Sequence, residues 1–392
     1  MRGANCQYRH RRRFRFDSRE DHAVTQPDAR FIATDPSHPS ANAFWEPIIV
    51  NKKQIAEQAE RLLSLDVNDP IERQVRIVHP MACERGQGMA PGIEVRLSVL
   101  KPGERTRPFR HNATEVGFCI DGGGAIHIGG KAFSFETYDV WNTPSWSSTW
   151  YENNTRKPHI RLTYSNAALL RLLNVHLVED KKITGITPDE KAQDHKASAS
   201  DSVKIKDVFV LPGSDNWLMS YERLINPPAV QSDPHLWPWQ DVRGELDKLT
   251  ALGAKYRGRR LYLLYNPLTG RTNGTTPSFF ATMTVRPPNI IDRPHRHASA
   301  AINYYFSGSG YSRVAGKHYE WTAGDLMLSA PGWAIHNHAS HDNGPVYELT
   351  IQDQPFHIWQ ESLLWQESLA APPSLLGTQA GFETNREEVF AS

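Results

Sequence analysis

The 392 residues carry 44 Lys+Arg against 43 Asp+Glu, a formal net charge of +1. So even a balance offers no global field for nucleic acid or an anionic membrane surface, and no apolar run approaches the ~18 residues of a membrane-spanning helix. The length allows two or three domains with sizeable cores, and 11 Trp, 13 Tyr, 15 Phe, 27 Pro and 26 Gly suit a turn-rich β protein with aromatic-lined cavities.

In chain order, residues 1–45 read as an arm. Arg9-His10-Arg11-Arg12-Arg13-Phe14-Arg15 is a basic run with no apolar stretch behind it, so a disordered tail is expected rather than a secretory signal. Residues 20–45 are polar and Pro-rich. Asn51 to Leu65 is predicted helical, because Ile55, Ala59, Leu62 and Leu63 fall on one face. Val75–Val78 and Gly92–Leu100 read as strands, Lys101–Glu104 as a turn, and short strands recur every ~8–12 residues to Val178, as in a sandwich or barrel. Residues 46–178 are therefore taken as a first β domain. Residues 179–204, charged and rich in Lys and Ser, read as a linker. A second β domain is expected over 205–365, with a helix at Gln240–Leu252, strands at Leu261–Tyr265 and Ala281–Arg286, and a tail over 366–392. Cys6, Cys83 and Cys119 are scattered and odd in number, outline no disulfide framework, and make a reducing cytosol the default.

The second β domain holds a candidate metal site. His295-Arg296-His297 places two imidazoles on one face of a strand, and His336 follows after enough hairpins to return beside them. Three neutral imidazoles with open coordination positions suit a catalytic Fe, Mn, Cu, Ni or Zn ion rather than a closed structural site. The two β regions also repeat one order of features, which matters for the fold. Arg107-Pro108-Phe109-Arg110-His111 stands against Arg293-Pro294-His295-Arg296-His297. Asp121-Gly122-Gly123-Gly124 stands against Ser307-Gly308-Ser309-Gly310, and Pro144-Ser145-Trp146 against Pro331-Gly332-Trp333. Two similar barrels packed on each other are expected.

At these residues the chain resembles the cupin superfamily. His295, His297 and Gly308 match its first motif, with Ala301 in the Glu slot. Pro331-Gly332-Trp333-Ala334-Ile335-His336 matches its second. The resemblance implies an all-β bicupin: two jelly-roll β-barrels in tandem with a few short helices. Pro-His-Arg-His, Gly-x-Gly, Gly-Asp and Pro-x-Trp-x-x-His-x-His, followed by the strand from Tyr347 to Asp353-Gln354-Pro355, further resemble the gentisate 1,2-dioxygenase family, whose Fe(II) is held by three His without a Glu. That family carries its iron in the N-terminal cupin. Here that copy has Phe109 and Thr149 at two ligand positions and keeps only His111 and Glu115, expected to be structural. Asn303 stands where the family has an Arg.

The resemblance implies Fe(II) at His295, His297 and His336, a small aromatic acid and O2 as reactants, and a homo-oligomer, dimer or tetramer; Mn, Ni, Cu or Zn fit the same donors. His338, Asn303, Tyr305, Arg313 and Trp333 are the candidates for substrate handling: His338 for acid–base work or for holding a ligand, Asn303 and Tyr305 by their inward parity, and Arg313 as a carboxylate clamp. Arg296 points away from the ligands and is expected in an ion pair. Asp325, Asp353 and His341 read as turn and loop residues. The expected reaction is extradiol-like cleavage of a gentisate-, salicylate- or hydroxynaphthoate-like ring. The alternatives are another cupin metalloenzyme (a diketone-type dioxygenase, a decarboxylase or an isomerase) and a non-catalytic small-molecule-binding bicupin.

Overall fold

The computed structural model describes residues 44–179, 208–221, 223, 232–253, 259–375 and 386–388. The basic run, nearly all of the arm and most of the expected linker lie outside the described residues. Strand β1 (Ile48–Val50) leads into helix α1 (Lys52–Ser64), which starts at Asn51 with a capping box: the Asn51 side chain accepts from the Gln54 amide and the Gln54 side chain accepts in return. The first repeat follows as β2 (Gln74–Ile77), β3 (Glu94–Leu100), β4 (Arg110–His111), β5 (Glu115–Asp121), β6 (Gly123–Ile128), β7 (Lys131–Glu136), β8 (Val140–Thr143), β9 (Thr149–Glu152), β10 (His159–Ser165), α2 (Ala167–Leu172) and β11 (Val178–Glu179). A hairpin, β12 (Val208–Val210) with β13 (Trp217–Met219), precedes β14 (Leu236–Trp237) and α3 (Trp239–Ala251).

The second repeat runs as β15 (Leu261–Leu263), β16 (Phe280–Arg286), β17 (Ile290–Asp292), β18 (Arg296–His297), β19 (Ala301–Ser307), β20 (Ser309–Val314), β21 (Lys317–Thr322), β22 (Leu326–Ala330), β23 (His336–Ser340), β24 (Val346–Gln352), α4 (Gln354–Trp359) and β25 (Leu364–Gln366), followed by β26 (Ser374–Leu375) and β27 (Arg386–Glu388). Each repeat folds into antiparallel sheets: β14-β8-β5-β10-β3-β2 with β7-β6-β9 in the first, β1-β22-β19-β24-β16-β15 with β21-β20-β23-β17-β27 in the second. The architecture is the expected all-β tandem of jelly rolls. The duplication holds down to single backbone pairs. Phe109 and Thr149 exchange two hydrogen bonds in the first barrel, and His295 and His336 exchange the same two in the second.

The strands leading into each barrel belong to the other. β1 pairs with β22 of the second barrel (Ile48 opposite Leu328), and β14 pairs with β8 of the first (Leu236 opposite Trp141). The helices that follow are tied the same way. Asp325 accepts from the Lys52 amide at the start of α1, and Asp139 accepts from the Trp239 amide at the start of α3. The turn role read for Asp325 is thus extended: its other oxygen accepts from Thr322 within the turn.

The barrels share one apolar core. Strand alternation sends Val116, Phe118, Leu162 and Tyr164 of the first and Ile302, Tyr304, Leu349 and Ile351 of the second into it. Phe118 meets Tyr304 edge-on with ring centroids 5.5 Å apart, and these two are repeat-equivalent residues. The opposite faces of the same strands point into the barrels. In the first barrel that space is filled: Trp141 packs so tightly over Gly117 that a Cβ there would lie 2.2 Å from the indole, with Leu100, Phe135 and Tyr151 beside it. In the second barrel smaller or polar residues (Thr282, Asn303, Glu348, Thr350, Gln352) take the inward positions, and a cavity of about 730 Å³ opens.

Candidate metal centre and its cavity

His295, His297 and His336 are 3%, 1% and 2% exposed, and one nitrogen of each lies within 4.8 Å of those of the others. Short-range geometry brings them together. His297 lies on β18, whose alternation puts His295 on the same side, and the backbone pair between His295 and His336 sets the third ring across from them, with centroids 4.4 Å apart. Each ring is oriented by a backbone carbonyl two residues away. Nδ1–H donates to Arg293 O in His295 (3.2 Å), to Ser299 O in His297 (2.8 Å) and to Ala334 O in His336 (2.9 Å). A carbonyl only accepts, so Nδ1 carries the proton in all three and Nε2 keeps its lone pair. Burial, joined by the Arg259 charge, pushes His295 well below the usual imidazole range. Burial and the neighbouring His336 do the same for His297, and burial takes His336 down to about 4. All three are neutral at pH 7, as metal ligands must be.

Of the other sequence candidates, His338 and Asn303 line the cavity. His338 bonds through Nδ1 to Ser312 Oγ (2.8 Å), which accepts Trp321 Nε1–H (2.9 Å). Asn303 donates to Thr350 Oγ1 (2.8 Å) and accepts from Ser329. Tyr305, Arg313 and Trp333 do not line it. Tyr305 has the inward parity but is sealed behind packing, stacked 3.7 Å from Trp321. Arg313 is exposed on β20 and borders a separate depression with Arg293 and Ile335. Trp333 lies outside the barrel under the Arg296 guanidinium, 4.5 Å away. Arg296 points away from the ligands as expected, but its partner is the neutral Gln366 (2.6 Å), not an acid. The first barrel repeats this arrangement as Arg110 between Trp146 and Glu179.

His111 and Glu115 hold each other (3.2 Å), and Glu115 is bound to Arg96. Burial alone would raise the Glu115 carboxyl, yet the charges of Arg96 and His111 overcome it and bring it down to about 2. That carboxylate is committed to an ion pair. Asp353 accepts from the Ala300 amide and, with His357, borders a different cavity of about 300 Å³ between the barrels.

Two residues at the candidate metal centre escaped the sequence reading. Trp365 lies on β25, which pairs with the HRH strand, His297 opposite Trp365. Its ring stacks on His297 at 4.9 Å. The expected domain end at 365 cuts this strand, and the expected tail begins with Gln366, the partner of Arg296, and Glu367, which bonds both Arg259 and Trp365. Arg259 places Nη2 3.4 Å from both nitrogens of His295 and 3.4 Å from Glu367 Oε1. Glu367 in turn accepts Trp365 Nε1–H at 2.8 Å. Extending the repeat by register, which aligns Val178 with Trp365, would have flagged Trp365; no local pattern marks Arg259.

Residues 282–384 match the AraC-like ligand binding domain family. The chain is 25% identical over 275 residues to a 5-aminosalicylate 1,2-dioxygenase of Comamonas sp, covering 67% of this chain and 66% of that relative, so just under two thirds of the relative's length is matched. It is 22% identical over 334 residues to a gentisate 1,2-dioxygenase of Aquipseudomonas alcaligenes, 84% of this chain and 89% of the relative. The fold superposes on a salicylate 1,2-dioxygenase from Pseudaminobacter salicylatoxidans with a TM-score of 0.66 at 15% identity, covering 82% of this chain and 88% of that one. Among the described residues no helix is long and apolar enough to cross a membrane. The chain thus has a tandem jelly-roll fold and resembles, in sequence and in fold, the gentisate- and salicylate-type dioxygenases.

Proposed function

We propose that the second barrel is the active site of a non-haem Fe(II) dioxygenase that cleaves the ring of a hydroxylated aromatic carboxylic acid with O2. The observation that carries this reading is the set of three neutral imidazoles, each with Nδ1 tied to a carbonyl, that line one cavity with one nitrogen of each within 4.8 Å of the others. Its volume suits a substituted benzene ring. The donor set fits a divalent first-row ion held by His295, His297 and His336; with no carboxylate among the ligands, an anionic substrate supplies the balancing charge. When bound, Fe(II) supplies a Lewis-acid template on which substrate and O2 meet.

The chain's own groups then divide the work. Trp365 walls the site beside His297 and offers a flat face to an aromatic ring. Arg259, at the His295 edge, is placed to receive the substrate carboxylate, with Glu367 holding it in position. That arrangement answers the loss of an Arg at Asn303. His338 lines the cavity, steadied by Ser312; burial and the Arg286 charge hold it well below the usual imidazole range, so as a neutral ring it can share a hydrogen bond with the phenolic oxygen.

Anaerobic reconstitution with Fe(II), followed by oxygen-electrode assays over gentisate, substituted salicylates and hydroxynaphthoates, tests the proposal. The expected result is O2 uptake with a product heavier by about 32 Da, the mass of both oxygen atoms, as oxygen insertion requires. His297→Ala is expected to drop bound iron far below one per chain and to abolish uptake. No uptake with any of these acids, or a product lighter by CO2, would overturn it.

A further inference from the structure

We propose that Ser312 and Trp321 are positioning residues of the ring-cleavage site, acting through His338. Their hydrogen-bonded relay fixes the His338 tautomer with the proton on Nε2, so that the substrate's phenolic oxygen meets an N–H donor. This deepens the ring-cleavage reading and rests on it for the oxygen that accepts the bond. The relay is short and buried. Trp321 Nε1–H donates to Ser312 Oγ at 2.9 Å, and Ser312 Oγ lies 2.8 Å from His338 Nδ1. Trp321, Ser312 and His338 are 3%, 0% and 9% exposed.

Donor counting sets the direction of each bond. An indole N–H only donates, so Ser312 Oγ accepts from Trp321 and has its own O–H left to place. A buried hydroxyl proton without an acceptor is costly. Among the described residues the other atom bonded to Ser312 Oγ is His338 Nδ1, while Tyr305 Oη, on the ring stacked against Trp321, has no hydrogen-bond partner. Ser312 therefore donates to Nδ1, and the neutral His338 ring carries its one proton on Nε2. The three metal-site imidazoles are the opposite, because carbonyls hold their protons on Nδ1. His338 lines the same cavity, its ring centroid 5.8 Å from that of His336, yet it stands outside the group of nitrogens lying within 4.8 Å of one another. Four neighbouring imidazoles thus divide into three with lone pairs for a metal and one with an N–H for an anionic oxygen.

The first barrel shows that the fold itself does not ask for this relay. By strand register Ser312 corresponds to Ile126, Trp321 to Phe135 and His338 to Tyr151. Ile126 and Phe135 have no hydrogen-bonding group in their side chains, and both are buried in that barrel's core. The same strands pack there without the indole N–H and without the hydroxyl. In the second barrel those two groups accompany what sets it apart, which is the cavity with its imidazoles.

The test reads the His338 tautomer in nitrogen-labelled, zinc-loaded protein by long-range nitrogen–proton NMR correlation, with His338→Asn to assign the signals. The expected result is a proton on Nε2. The matching position of the first barrel holds a branched side chain, so Ser312→Thr and Ser312→Val form a pair that differs in the hydroxyl alone. The Thr variant should keep the wild-type tautomer and salicylate affinity. In the Val variant a measurable share of the protons should sit on Nδ1, and salicylate should bind the zinc form about tenfold more weakly, the loss expected for a hydrogen bond to a charged oxygen. Trp321→Phe should weaken it about threefold, since the hydroxyl stays but loses the group that aims it. A wild-type proton on Nδ1, no salicylate binding, or equal affinity in the Thr and Val variants overturns the inference. Should the variants fail to fold, the wild-type tautomer decides alone. Oxygen uptake by the iron form is read separately. The expected tautomer without uptake would leave the relay standing and remove ring cleavage, whereas uptake with the proton on Nδ1 would do the reverse.

Discussion

Single side chains divide the two barrels into an open one and a filled one. At the ligand positions the second repeat has His295 and His336 where the first has Phe109 and Thr149, on the same backbone pair. At the Glu slot the second repeat has Ala301, and the first has Glu115, locked to Arg96 and His111. That carboxylate makes a prediction about acid stability. Its folded-state pKa of about 2 lies below the ordinary 4.5, so the folded state holds the proton less well than the unfolded chain. The pairing then favours folding fully above pH 4.5 and is lost as pH falls from 4.5 toward 2, a contribution on the order of 3 kcal/mol. Glu115→Gln should lower stability at neutral pH and flatten the fall between those pH values, measured by urea unfolding across the pH series. An unchanged acid limb would mean Glu115 is not held by charge.

Among elements, the short turns before β8 and β22 matter beyond their own hairpins. Asp325 satisfies the Thr322 amide in its turn and the Lys52 amide that opens α1, so one side chain fastens the second barrel to the helix leading into the first. Asp139 does the same for Glu136 and Trp239. Helix N-termini leave amides without partners, and a carboxylate there also meets the positive end of the helix dipole. Asp325→Ala should cost about 1–2 kcal/mol, read as a lower urea midpoint at unchanged m-value. Strand β25 shows the same economy at the site: pairing with β18 both completes a sheet edge and delivers Trp365 to His297.

For the whole molecule, the crossed strands β1 and β14 make the barrels mutually dependent. Each half lacks a sheet strand that the other supplies, and each exposes half of the shared core that joins Phe118 to Tyr304. An unpaired edge beside an exposed apolar face is unstable and prone to association. A chain divided between residues 180 and 207 should therefore give two halves that show no cooperative thermal transition by circular dichroism when alone and regain one when mixed. Two independently cooperative halves would contradict the coupling. On this view the filled first barrel contributes strand β14's partner and half of the core, which is reason enough for its presence without a metal site of its own.

The linear chain determined what depends on period and type. Alternation marked the strands, the repeated Pro-x-Trp and Gly-rich turns marked the duplication, and HxH with a returning His marked the three imidazoles, because a two-residue period alone fixes which side chains share a face. Parity even placed Asn303 and Tyr305 inward correctly. Only the tertiary structure decided that Tyr305 is sealed against Trp321, that Arg313 and Trp333 stand outside, that Arg259 and Trp365 come in, and that β1 and β14 cross over. Parity gives a direction but not whether space lies in front of a side chain, and that space depends on residues far away in sequence: Trp141 fills it in one barrel, whereas Met327, at the matching register position in the other, packs away with Tyr305 and Trp321 and does not line the cavity.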